Sequence, residues 1–146
     1  FEDRGGKRQG PDCRPLAELL RSCDVLSINC PLTPDTYNLI DAAQLAVMKP
    51  DAVVINTGRG GVVNEAALIQ ALQAGRLGGV ALDVVEQEPL HPSNPLFQLI
   101  DRDDFLLNPH IAWSSEDAMQ QLMDSAVDNI SAFVARQANA KRIRSA

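Results

Sequence analysis

The sequence lacks any run approaching the roughly 18 uncharged apolar residues that a membrane-spanning helix needs. It also lacks a basic excess: 13 Lys+Arg against 19 Asp+Glu leave a net charge of −6. That balance argues against a nucleic-acid partner, which calls for a basic face. The one basic cluster, Lys141, Arg142 and Arg144 at the C-terminus, reads as a solvated tail end. Cysteine is scarce and odd in number, with Cys13, Cys23 and Cys30 and no C-x-x-C spacing. Neither a disulfide framework nor a zinc site fits such a set, and no metal site is expected. A reducing cytoplasm is the natural compartment. Phe1-Glu2-Asp3-Arg4 opens without an initiator Met or an apolar core, so no signal peptide is read there. The glycine pattern G-x-G-x-x-G, which marks the first turn of a dinucleotide site, is missing as well.

What is present is an ordinary globular composition. The 146 residues are 45% hydrophobic and 22% charged, enough for one domain, or part of one, with a real core. Short apolar runs alternate with amphipathic stretches, the rhythm of a βαβ protein. Residues 15–22 predict a helix with Pro15 in its first turn, and residues 24–29 a strand closed by Cys30-Pro31. A short helix is expected over 41–48. The β-branched run 52–56 has the composition of a strand buried in a parallel sheet. After the glycine-rich turn 57–61, Asn64 can cap a helix that ends at Gly75. Strands follow at 79–83 and 105–107, with a proline-rich loop at 86–95 between them. A long amphipathic helix is expected over 116–136, with Leu122, Ala126, Ile130, Phe133 and Val134 turned inward. The sum is an α/β fold, a mostly parallel sheet with helices on both faces.

Ligands of such sheets bind at the carboxyl ends of the strands. Just past those ends the sequence sets Cys30-Pro31, Thr57-Gly58-Arg59, Asp83 with the loop to Glu88, and His110. Arg59 can grip a carboxylate with two parallel hydrogen bonds. His110 is suited to exchange a proton near neutral pH. Glu88 beside it would fix its tautomer and stabilise its charge. Asp83 ends an apolar strand and needs a partner, either a ligand amide or the next turn. Glu86 and His91 read as solvated loop residues. From the residues alone the expectation is an anionic small-molecule site with an Arg/Glu/His acid–base set.

Asn56 to Leu68, Gly78 to Val84, Glu88-Pro89 and Asn108 to Ala112 closely resemble the D-isomer-specific 2-hydroxyacid dehydrogenases. Cys30-Pro31-Leu32-Thr33, Asn38-Leu39-Ile40 and Met48-Lys49-Pro50 match too, in the family's order, so the resemblance runs from about Leu19 to Phe133. His110 to Ser114 is most similar to the glycerate dehydrogenase and hydroxypyruvate reductase branch. The resemblance implies the second half of a Rossmann-type doubly wound parallel sheet over residues 1–115. It also implies a C-terminal helix over 116–146 returning toward a substrate domain. It implies the interconversion of a 2-hydroxy acid and a 2-keto acid with NAD, NADP being the alternative, in a homodimer. Arg59 would bind the substrate carboxylate, His110 would exchange the proton, and Glu88 would hydrogen-bond His110. Asp83 would hold the nicotinamide carboxamide. Cys30, Pro31, Thr57, Gly58, Ala112 and Trp113 would line the cofactor with Arg59 and His110. Glu2 or Asp3 would take the adenosine ribose, and Arg4 a 2′-phosphate.

The family's glycine pattern and substrate domain have no counterpart in these residues. The chain therefore reads as the C-terminal part of a protein about twice as long, inactive as a piece by itself. The other reading of the same fold and triad is a corepressor-like module that uses NAD binding to control assembly.

Overall fold

The computed structural model describes residues 13–144, with side chains through residue 136. Glu2, Asp3 and Arg4, expected at the adenosine ribose, lie outside the described residues, and Lys141, Arg142 and Arg144 lie outside the described side chains. The chain divides into two compact units, one ending at His110 and one beginning at Ile111.

In the first unit, α1 (Leu16–Ser22), β1 (Val25–Ile28), α2 (Ala42–Leu45), β2 (Val53–Asn56), α3 (Glu65–Gln73), β3 (Gly79–Leu82) and β4 (Phe105–Leu107) follow in order. The four strands form one parallel sheet in the order β1-β2-β3-β4. The registers Leu26↔Val54 and Ile28↔Asn56 continue as Val54↔Val80 and Val80↔Phe105. These residues therefore share one face of the sheet. The apolar ones among them make the core with Leu20, Leu45, Leu68, Leu72, Leu96 and Leu99, and Asn56 is buried beside them.

Helices on both faces were expected, but within this unit they cover one. Crossovers between parallel strands are right-handed. Strands laid down in a single direction therefore put every connection on the same side. The reversal of direction that would place helices on the second side does not occur among the described residues. Val25 and Leu106 on that second side are 54% and 56% exposed.

Local chemistry sets the ends of the elements. Asp41 caps α2 in a reciprocal box with Gln44, yet the helix closes after one turn, short of the residue 48 expected. Pro50 disfavours the helical region only at Lys49, so it marks the outer limit of the helix and not its end at Leu45. Asn64 accepts from the Ala67 N–H at the start of α3. Gly75 takes φ +64° just past its end, the left-handed stop that glycine permits. The proline-rich loop runs into a short 3-10 helix, Pro95–Leu99, capped by Asn94. That element was not read from the sequence.

In the second unit, α4 spans Glu116–Arg144, eight residues beyond the predicted end. The Ser115 hydroxyl accepts from the Ala118 N–H at its start. Leu122, Ala126, Ile130, Phe133 and Val134 do share a stripe, but all are exposed, Phe133 by 63%. Periodicity reveals an apolar stripe; it does not say that the same residues supply its cover. No helix among the described residues is long and apolar enough to cross a membrane.

Candidate active site

The carboxyl ends of all four strands open on one edge of the first unit, and each carries residues singled out above. At the exit of β2, Asn56 is only 2% exposed. Its Nδ2 donates to the Arg59 carbonyl at 3.0 Å, and its Oδ1 accepts from the Gly58 N–H at 3.0 Å. A buried amide that meets both of its obligations on one turn holds that turn in a single shape. Thr57 donates to Asn29 Oδ1 across from β1 at 3.1 Å. Gly58 lies so close to β1 that an added Cβ would stand 3.0 Å from the Cys30 carbonyl. Arg59 is exposed, and its guanidinium folds back to the Gly58 carbonyl at 2.8 Å.

At the exit of β3, Asp83 is 5% exposed. Its N–H donates to the Asn56 carbonyl, and its carbonyl accepts from the His110 N–H, both at 2.9 Å. The turn beyond it delivers Glu88, whose peptide bond to Pro89 is cis. Glu88 Oε1 accepts from the Val85 N–H at 3.2 Å, and Oε2 lies 2.7 Å from His110 Nδ1. His110 follows β4 with φ +57°. The left-handed region is rare for a residue with a side chain, and here the backbone bond to Asp83 and the ring's contact with Glu88 hold it. The His110 hydrogen bond keeps the Glu88 carboxyl below the usual carboxylate range, helped by the Val85 N–H and opposed by burial.

Asp83, Glu88 and His110 line a cavity of about 350 Å³ with Leu90, Phe97 and Leu107. Of the expected triad, then, Glu88 and His110 are brought into contact, whereas Arg59 is not among the residues lining this cavity. Cys30 and Pro31 sit at the end of β1. Ala112 and Trp113 fall in the second unit, where Trp113 is 55% exposed.

Glu86, read as a solvated loop residue, takes a hydrogen bond from the Tyr37 hydroxyl at 2.8 Å. That bond to a carboxylate, joined by its charge, pushes the Tyr37 phenol up. Sequence reasoning also missed Asn56. The signal for it was a polar residue ending an otherwise apolar run. His91 is exposed and bonded to Ser93, as the sequence suggested. Among the described residues no group of three or more His, Cys, Asp or Glu could hold a metal ion.

A parallel sheet with a buried carboxylate, a carboxylate–imidazole pair and an arginine-bearing turn at its carboxyl edge belongs to the α/β proteins that bind cofactors there. Residues 2–112 match the model of the D-isomer specific 2-hydroxyacid dehydrogenase, NAD binding domain. The chain belongs to that family. It is 51% identical over 120 residues to the glycerate dehydrogenase of Methylorubrum extorquens, covering 82% of this chain and 38% of that protein. Among solved structures, an acyclic imino acid reductase in complex with NADPH and D-Arg superposes with a TM-score of 0.80. That likeness has 31% identity over 91% of this chain and 42% of the other. The Aquifex aeolicus D-lactate dehydrogenase complexed with NAD and lactic acid gives a TM-score of 0.74 and 31% identity. It covers 84% of this chain and 40% of the other. The chain spans about two fifths of the length of these relatives.

The residues at the strand ends fit the nicotinamide half of such a cofactor. A buried carboxylate at Asp83 can accept from a carboxamide N–H, and the close approach of Gly58 to β1 presents backbone rather than side chain.

Proposed function

We propose that the protein carrying this chain interconverts a D-2-hydroxy acid and its 2-keto acid with NAD(H), NADP(H) being the alternative. Its substrates would be of the hydroxypyruvate, glyoxylate or glycerate type. The observation that carries this reading is the 2.7 Å contact of His110 Nδ1 with Glu88 Oε2 at the carboxyl edge of the sheet.

With Nδ1 turned to the carboxylate, Nε2 is the nitrogen that would give a proton to the substrate oxygen in reduction and take it back in oxidation. Glu88 orients the ring and fixes its tautomer. Arg59 would leave the Gly58 carbonyl to grip the substrate carboxylate through two parallel hydrogen bonds. Its charge also stabilises the negative charge that gathers on the keto oxygen. Asp83 would hold the carboxamide, with Thr57, Gly58, Cys30, Pro31, Ala112 and Trp113 lining the nicotinamide. The bound nicotinamide cofactor supplies or accepts the hydride.

The proposal includes a homodimer, on the strength of the family resemblance. It also includes a cytoplasmic setting, since an odd number of cysteines without C-x-x-C spacing suits a reducing compartment.

The test is NADH oxidation by the intact protein with hydroxypyruvate or glyoxylate. Turnover is expected, and His110→Ala should lower kcat by about 10²- to 10⁴-fold. No turnover in the wild type, or an unchanged rate in His110→Ala, would overturn the reading.

A further inference from the structure

The turn from Asp83 to Glu88 is gripped from outside at one peptide plane, the plane joining Val85 to Glu86. On one edge, the Val85 carbonyl lies against Gly60, so closely that a Cβ on that glycine would collide with it. On the other edge, the Glu86 N–H donates to Glu65 Oε1 at 2.6 Å. Contacts at both edges restrict the rotation of the plane. The dihedrals on either side of it direct the chain toward Glu88, whose carboxylate must meet His110 at 2.7 Å. The same turn presents the Val85 N–H to Glu88 Oε1.

The holder is itself firmly seated. Glu65 is the first residue of α3, which Asn64 caps and which buries Leu68 and Leu72 completely. A carboxylate receiving a backbone N–H makes a charge-assisted bond, stronger than the neutral kind. Tyr37 adds a tether from the β1 side through the Glu86 carboxylate.

We propose that Glu65 is a positioning residue for the Glu88–His110 pair. It transmits the rigidity of the buried helix α3 to the proton-exchanging ring through the Glu86 N–H. The assignment rests on the dehydrogenase reading for its role in catalysis, while the contact itself can be tested without substrate.

The experiment compares Glu65→Ala with Glu65→Gln in the intact protein, following the Glu88 side-chain carboxyl by carbon-13 NMR across an acid titration. Glu65→Gln keeps an acceptor for the Glu86 N–H and should leave the Glu88 midpoint where the wild type has it. Glu65→Ala should move that midpoint up toward the ordinary glutamate value, because Glu88 loses its fixed approach to His110 and to the Val85 N–H. In the wild type, the Glu86 amide should exchange more than about tenfold slower than an open-loop amide, as a hydrogen bond to a charged group implies. An unprotected Glu86 amide overturns the proposal, and so does a Glu65→Ala protein with an unmoved Glu88 midpoint. If Glu65→Ala fails to fold, the wild-type exchange decides. If the protein turns over no 2-keto acid, the dehydrogenase reading fails, while the titration and the exchange still judge Glu65. If it does turn over, Glu65→Ala should lower kcat and shift its pH profile more than it changes KM for NADH, with Glu65→Gln restoring both.

Discussion

His110 Nδ1 lies 2.7 Å from Glu88 Oε2 although 22 residues separate them in the chain. Two strand ends, β3 and β4, bring them together, and each side chain is about two fifths exposed. The His110 hydrogen bond holds the Glu88 carboxyl below the usual range. A carboxyl with a lowered native pKa contributes stability that is fully present above its unfolded value, about 4.3 for glutamate. The contribution fades as pH falls through the lowered native value. Solvent screening at this exposure keeps it below about 1 kcal/mol. At about pH 5, urea melts of wild type and Glu88→Gln should therefore differ by a small amount, and the two should converge in more acidic solution. A gap that widens on acidification would mean that the contact is not made in solution.

Asn56 shapes the turn that carries Arg59, with one bond given and one received. Replacing it by alanine leaves the Gly58 N–H and the Arg59 carbonyl without their partner, at a cost of about 2–3 kcal/mol. Asn56→Asp should be no better, because a buried carboxylate then faces the Arg59 carbonyl. Thermal melts would show the stability loss. A rise in KM for the keto acid that exceeds any change in KM for NADH would show that the turn serves the substrate side. Equal changes in both would contradict that role.

How far the sequence disclosed this arrangement depends on the range of each contact. Strands β1 to β4 were legible because short apolar runs bounded by turn residues carry their own signal. The cap at Asn64 and the stop at Gly75 were legible for the same local reason, whereas the capping role of Asp41 was not read. Glu88 and His110 were found because strand exits in α/β sheets share an edge. The bonds that Glu65 and Tyr37 make with Glu86 span 21 and 49 residues, and no local pattern announces them. Nor could periodicity tell that Val25 and Leu106 would stay exposed, since a β-branched or leucine-rich run looks alike on either face.

Arg59 rests on the Gly58 carbonyl and is exposed, so nothing in the core depends on its charge. Arg59→Lys and Arg59→Ala should leave the stability within about 0.5 kcal/mol of wild type. The lysine variant keeps the charge but loses the planar fork that pairs with a carboxylate. On the dehydrogenase reading it should lower kcat/KM for the keto acid by at least about tenfold, and the alanine variant by more. Steady-state kinetics on both, beside their melts, separates the two effects. A lysine variant with wild-type kcat/KM would remove Arg59 from the substrate site.

Two glycines on opposite sides of α3 should respond in contrasting ways to alanine. Gly75 has φ +64° with nothing within 4 Å of an added Cβ. Gly75→Ala should therefore cost only the strain of the left-handed conformation, about 1–2 kcal/mol, and leave the Glu88 carboxyl titration unchanged. At Gly60 the backbone angle is not the obstacle; the Val85 carbonyl occupies the space a Cβ would need. Because the obstacle is backbone, relief requires that the turn from Asp83 to Glu88 move. Gly60→Ala should cost more than about 2 kcal/mol and raise the Glu88 titration midpoint as Glu88 draws away from His110. Melting curves and the carboxyl titration on the two variants make the comparison. A Gly60→Ala protein as stable as Gly75→Ala, with Glu88 still titrating low, would show that the turn has room the geometry denies it.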